Sequence, residues 1–410
     1  MSTPARNTPS SERLTLGPLR APLMFGGLGV GIVGLASAYF LAGDLRSFLS
    51  AYLVAFCFIV TISLGGLFWV TIMHLTRAGW GVCVRRLAEI LAMATFPCLI
   101  LFLPILLPVM TGSSASIYDW VDLKNLPERL QGFDDLLAHK EPFLNGPFFA
   151  IRALVYFAVW GGCAAFFLRG SRSQDESGDK SISLRMQAFS APAMLLFAAT
   201  LVFASFDWGM SLEPIFFSTI YPVYWFAGAA MSSICTMTLI SFLLQRSGRL
   251  TDDITTEHYH DLGKLMFGFV FFWGYIAFSQ YLLIWYANLP EETFWFEYRQ
   301  QGGWATGSII LIVVHLALPF LAIMPRTLRR NKAYMAMAAI FLLGAHWYDH
   351  FWLIMPTTFR PTFGVTPADI LCLVGVIGFY ASAFALIAGD RKLIPAGDPR
   401  LYESLSYHNA

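Results

Sequence analysis

Ten stretches of about twenty mostly apolar residues run through this chain, at roughly 22–42, 49–74, 87–110, 147–168, 189–206, 218–245, 262–288, 303–324, 332–355 and 367–388. A hydrocarbon core about 30 Å thick needs ~20 residues of helix to cross it. Backbone polar groups in lipid have to be satisfied within the segment or by a closed barrel. The alternation of barrel strands is absent, so the runs read as helices. Of the 410 residues, 57% are hydrophobic and only 13% charged, against about 25% charged in soluble domains. A water-soluble fold would leave large apolar patches exposed. The expected fold class is an all-α integral membrane protein with ten transmembrane helices.

The first run follows Arg6, Arg13 and Arg20 and imitates a signal peptide, but it continues to Leu41, which is membrane-spanning length. It reads as a retained first helix. With the N-terminus inside, each inner segment carries three or four Lys or Arg, while the outer loops carry three at most: Lys124, Arg129 and Lys140 in one loop, single Arg46, Arg299 and Arg360 elsewhere. The positive-inside rule therefore puts both termini in the cytoplasm. The expected organisation is a cytoplasmic segment 1–20, a membrane domain 21–388 and a cytoplasmic tail 389–410. The outer loop 111–146, with Tyr118 and Trp120, reads as short interfacial helices. The inner loop 169–188 reads as a flexible solvated connection.

Several chemistries are excluded. A net charge of +1 supplies no field for nucleic acid. Cys57, Cys83, Cys98, Cys163, Cys235 and Cys372 form no C-x-x-C, so no iron–sulfur cluster, thiolate zinc or c-type haem is expected. His315 and His346 are the one pair near matching depth for haem b, and the paired spacing of a two-haem bundle is missing. Neither haem nor a metal ion is expected. Gly27 and Gly31 make a G-x-x-x-G suited to close helix packing. Trp69, Trp80, Trp285, Trp295 and Trp304 read mostly as interfacial belt residues.

Ionisable groups inside spans are costly and mark functional positions or interhelical hydrogen bonds. In the ninth span His346, Asp349 and His350 sit at i, i+3 and i+4, on one helical face. His346 lies about 21 Å along the axis from Lys332, in the outer half. His315 occupies the middle of the eighth span. The seventh opens with His258, Asp261 and Lys264, and carries Tyr275, Ser279 and Gln280 further on; with Ser232, Ser233 and Thr236 of the sixth span these could hold ordered water. The expected proton path runs from His258, Asp261 and Lys264 at an inner mouth, through Gln280 and His315, to His346, Asp349 and His350 at an outer exit. Relay and plain packing both remain open for these groups. A second candidate path comprises His74, Glu89, Arg152, Asp207 and Glu213, with Arg152 expected to pair with one of the two acids near it.

Leu75-Thr76-Arg77-Ala78-Gly79 and Leu244-Gln245-Arg246-Ser247-Gly248 share L-x-R-x-G at the inner ends of helices two and six. A parallel duplication of helices 2–5 and 6–9 is geometrically allowed, though five residues alone decide little.

Longer motifs resemble one family. They are residues 75–80 with Val84-Arg85-Arg86-Leu87-Ala88-Glu89, the run Phe206 to Pro214, Phe217 to Tyr221, His260 to Leu265, and Phe278 to Thr293. Together they resemble the shorter, F-type NrfD-like membrane subunit of alternative complex III, across helices two to nine. The resemblance implies two four-helix bundles, helices 2–5 (49–206) and 6–9 (218–355), flanked by helices one and ten. It implies a place in a quinol:cytochrome c, or other quinol:electron acceptor, oxidoreductase of the bacterial inner membrane. The implied partners are a sister NrfD-like subunit, an iron–sulfur/molybdopterin-like periplasmic subunit, multihaem cytochromes c and a terminal oxidase, besides membrane lipid. The main quinol site would lie in the sister subunit, and this chain would support the complex and conduct protons without a covalently bound cofactor. Asp207, Glu213, Asp261 and Gln280 fall within the family-like motifs; His346, Asp349 and His350 match none. The alternatives are a quinone pocket near His74, Arg77 and Glu89, a secondary transporter, and a structural scaffold.

Overall fold

The computed structural model describes residues 11–122, 126–127, 130–358 and 363–409. Arg6, Lys124, Arg129 and Arg360 lie outside them. The described chain is 79% helix without strands. Nine of its helices are long and apolar enough to cross a membrane: α1 (Pro22–Ala42), α2 (Leu45–Leu75), α3 (Val82–Met110), α4 (Gly146–Ser177), α5 (Ser181–Leu212), α6 (Tyr221–Arg246), α7 (Thr256–Ala287), α8 (Gly302–Ile323) and, last in the chain, α10 (Pro367–Ala388). Between them lies α9 (Lys332–Ile354), of 23 residues. It falls short of the nine because its second half carries His346, Asp349 and His350.

Local chemistry sets the ends. The Asp44 carboxylate accepts from Ser47 N at 2.9 Å and caps α2. Asn145 caps α4 with Pro147 in the first turn, and Gly178, at φ 67°, ends it in the left-handed region. Thr366 and Asp369 form a capping box on α10. Helix α2 is the central post, packed against α3, α5, α6, α9 and α10. A Cβ on Gly65 would stand 2.0 Å from the Ala229 carbonyl of α6, so only glycine permits that approach. Helix α1 lies outside and pairs with α10. Along that seam Cβ atoms on Gly27 and Gly34 would meet Gly378 O at 2.6 Å and Gly375 Cα at 2.8 Å, the close packing expected of the first helix. Leu393 N donates to Leu14 O at 2.7 Å, which brings the two terminal segments to one face of the molecule, here the terminal face.

The structure differs from the sequence reading in four places. The 169–188 connection is mostly helix: α4 runs to Ser177 and α5 begins at Ser181. Protein partners hold the polar end of α4: Arg86 donates to Ser171 Oγ and Asp175, and Gly397 N donates to Asp175. Loop 111–146 contains the expected short elements, at Asp119–Val121 and Asp134–Lys140, but Tyr118 and Trp120 are buried. A short helix, Pro290–Gln300, follows α7 and was not anticipated. Finally, Trp69, Trp295 and Trp304 are core residues, Trp69 donating to Ala230 O at 2.9 Å; of the expected belt, Trp285 is the exposed member and Trp80 is half-buried. The L-x-R-x-G match does not extend to backbone geometry, since the left-handed residue is Arg77 in one segment and Gly248 in the other.

Candidate functional site

His346, Asp349 and His350 share the buried face of α9, as their spacing requires, and His315 reaches them from α8. The α8 segment Ile312–Ala317 is wound as a π-helix, a widened turn common at functional positions. The His315 ring lies 3.8 Å from the Trp273 ring and 6.4 Å from that of His346, which is 4.6 Å from His350. Two donors hold the Asp349 carboxylate: the Tyr224 hydroxyl of α6, and Trp273 Nε1 of α7 at 3.1 Å. From α2, Thr61 Oγ1 stands 2.9 Å from His346 Nε2 and 3.4 Å from His350 Nε2 while donating to Cys57 O at 2.7 Å. With its one proton on that carbonyl, the hydroxyl can accept from the imidazoles, His346 then donating through Nε2. Both ring nitrogens of His315, and Nδ1 of His346 and His350, have no protein partner. Buried polar atoms of that kind call for water or an ion.

His315, His346 and Asp349 offer ligand atoms within 4.8 Å of one another. Tyr224 and Trp273 each donate to one oxygen of Asp349, which fixes the orientation of the carboxylate. Tyr224, Thr61 and Trp273 escaped the sequence reading because an isolated Tyr, Thr or Trp in an apolar run carries no signal of its own.

Tyr224 and Trp273 also line a cavity of about 370 Å³ between α7, α8, α9 and the Pro290–Gln300 helix. Phe278 and Ile312, which also line it, are exposed on the outer surface of α7 and α8. Gln280 lies here, towards the end of α7 opposite the terminal face (the far face): it shares the cavity with Arg299 of the Pro290–Gln300 helix, about 36 Å along α7 from Thr256. Its Nε2 is buried without a partner. Arg299 is fully buried, its guanidinium 3.4 Å from the Trp295 ring centre, donating to Trp295 O and Leu353 O at 2.7 Å each while Nε finds no partner. Burial draws its pKa down to about 9, so it keeps its charge at neutral pH.

The terminal-face groups of α7 do not join this cluster. His258 Nδ1 caps its own helix by accepting from Thr255 N at 3.0 Å, and its Nε2 meets Ser404 Oγ of the tail at 3.0 Å. Asp261 pairs with Lys264, which donates to Asn409 Oδ1 at 2.8 Å. From Asp261 to Trp273 is about 18 Å along α7, and the buried residues between include Leu262, Met266 and Val270. Ser232 and Thr236 donate back to carbonyls of α6, Tyr275 faces outward, and Ser279 donates to its carbonyl. Among the described residues, side chains alone therefore make no continuous polar stack from face to face.

In helices α2 to α5 the expected groups separate. Arg152 grips Asp207 through two hydrogen bonds of 2.8 and 2.7 Å, and Tyr156 donates to the same carboxylate at 2.7 Å. Glu213 is buried near the far face. Glu89 lies between Arg86 at 2.9 Å and Arg85 at 3.3 Å, and these arginines continue to Asp175 and Asp398. His74 stacks on Phe167 and lines a terminal-face cavity with Arg77, which Glu89 does not reach. The trio His74, Arg77 and Glu89 is thus split, because two guanidiniums already compensate the Glu89 carboxylate.

No family model matches this chain, and no curated protein does.

Proposed function

We propose that this chain is a ten-span membrane subunit of a bacterial quinol:electron acceptor oxidoreductase, with bundles α2–α5 and α6–α9 flanked by α1 and α10 and with the terminal face in the cytoplasm. Electrons travel in partner subunits, and this chain moves protons at the outer half of the second bundle. The resemblance of its motifs to the F-type NrfD-like subunit of alternative complex III supports the assembly. The observation that carries proton transfer is the enclosed set of three imidazoles and one carboxylate, with the Tyr224 hydroxyl linking Asp349 to the cavity. Thr61 bridges two imidazoles, Asp349 takes a proton from or returns it to Tyr224, and the bare ring nitrogens receive the next one. Side chains of the described residues do not by themselves link the cluster to the cytoplasmic side, so supply from there comes through ordered water.

Asp349→Asn with His346→Leu, in the assembled complex in proteoliposomes, tests this. Fewer protons released per electron at unchanged assembly is the expected result; an unchanged ratio overturns the reading.

A second reading, a quinone pocket in this chain, is favoured at the α7–α8 cavity rather than near His74, Arg77 and Glu89. The cavity has aromatic walls, a lipid-side edge and two unpartnered donors, on Gln280 and Arg299. A photoreactive quinone should label Pro290–Gln300; labelling at His74–Arg77 instead would restore the other location.

A further inference from the structure

A second cavity, of about 300 Å³, opens at the terminal face between the ends of α2 and α5 and the C-terminal tail. Its lining includes His74, Arg77, Arg85, Lys180 and Arg400, with Asp398 as the acid among them. Asp398 is committed to Arg85 at 2.5 Å, and Arg400 to Glu403. No carboxylate of the described residues pairs with Arg77 or Lys180. Arg77 sits at φ 52° where α2 ends, a left-handed conformation unfavourable for a side-chain-bearing residue. It is held there in part by Arg400, which donates to the Arg77 carbonyl. At the floor, His74 is 6% exposed and its Nε2 has no partner. Exposed Leu184 lines the cavity as apolar surface, and Leu75, next to His74 in the chain, is exposed as well.

We propose that this cavity seats the phosphate of an anionic phospholipid from the leaflet on the terminal face. Arg77 and Lys180 neutralise the phosphodiester, His74 donates through Nε2, and an acyl chain lies along Leu75 and Leu184. The chemistry is general: basic pockets between spans on the cytoplasmic side recognise lipid phosphate, and Arg matches phosphate oxygens through its planar fork. The site is independent of the proton-transfer reading, since none of its residues touches the α6–α9 cluster. A free phosphate would use the same donors, and what distinguishes the lipid is the apolar rim.

The test is native mass spectrometry of the purified full chain titrated with phosphatidylglycerol, phosphatidylethanolamine or inorganic phosphate. The expected result is phosphatidylglycerol bound at least about tenfold more tightly than phosphatidylethanolamine. Arg77→Gln with Lys180→Gln should weaken it about 20–30-fold, as for two cations at an anionic surface, with the unfolding temperature unchanged. His74→Leu should weaken it further, and His74→Gln, which restores an N–H donor, should recover part of the loss. Equal affinity for the two lipids, unchanged binding in the double variant, or inorganic phosphate binding as well as the lipid would each overturn the proposal.

Discussion

Arg152 of α4 and Asp207 of α5 form a two-pronged ion pair in which both side chains are almost wholly inaccessible, at 8% and 0% exposure. The pair ties the far-face ends of two adjacent helices together, and Tyr156 completes the shell of the carboxylate. A buried pair of this kind contributes little beyond an apolar substitute, but breaking it on one side leaves a bare charge. Asp207→Leu alone should cost about 3–5 kcal/mol, whereas the double variant Arg152→Leu, Asp207→Leu should recover most of that loss. Chemical unfolding of both variants in detergent checks the difference.

Gly228 of α6 faces His346. A Cβ there would stand 2.7 Å from His346 Cε1 and 3.1 Å from Nδ1. Gly228→Ala should displace the imidazole from Thr61, cost about 1–3 kcal/mol through overpacking, and slow proton release in the assembled complex. Gly344→Ala, where nothing lies within 4 Å of the added atom, should leave both unchanged.

Tyr224 joins the buried carboxylate to the cavity. Tyr224→Phe preserves the packing and removes the hydroxyl, so proton release should fall by about 10²-fold if that hydroxyl carries the proton. Trp273→Phe removes the other donor to Asp349 and should affect the rate far less. Stopped-flow pH recording on the reconstituted complex separates the two.

The cap of α2 gives a pH signature outside the membrane. The Ser47 hydroxyl and amide hold the Asp44 carboxyl below its ordinary range. Because the folded state binds the proton less readily than the unfolded state, the stabilisation is complete above the ordinary aspartate value of about 3.9 and fades as pH falls through the lowered one. Asp44→Ala should cost about 1 kcal/mol at neutral pH, and the gap to the parent chain should narrow below pH 4. Unfolding midpoints at pH 7 and pH 3.5 measure it.

The spans were legible because each is a run of neighbouring residues whose transfer to lipid adds up locally. The i, i+3, i+4 set on α9 was legible because helical periodicity alone puts His346, Asp349 and His350 on one face. The same locality misleads at 169–188, where a polar run reads as a connection although α4 and α5 continue through most of it as helix. Tyr224, Thr61 and Trp273 were illegible for the opposite reason: each becomes significant through contacts with helices more than forty residues away in the chain.

From the residue order alone follow the membrane class, the boundaries of most spans within a few residues, and the one α9 face that carries polar groups. Tertiary structure decided which helix meets that face, that Gln280 belongs with Arg299 near the far end, and that Glu89 is spent on Arg85 and Arg86. Hydropathy sums over consecutive residues, whereas a contact depends on how each helix is rotated and how near its neighbour it can come. At Gly65 and Gly228 the missing Cβ sets that approach, to Ala229 in one case and to His346 in the other.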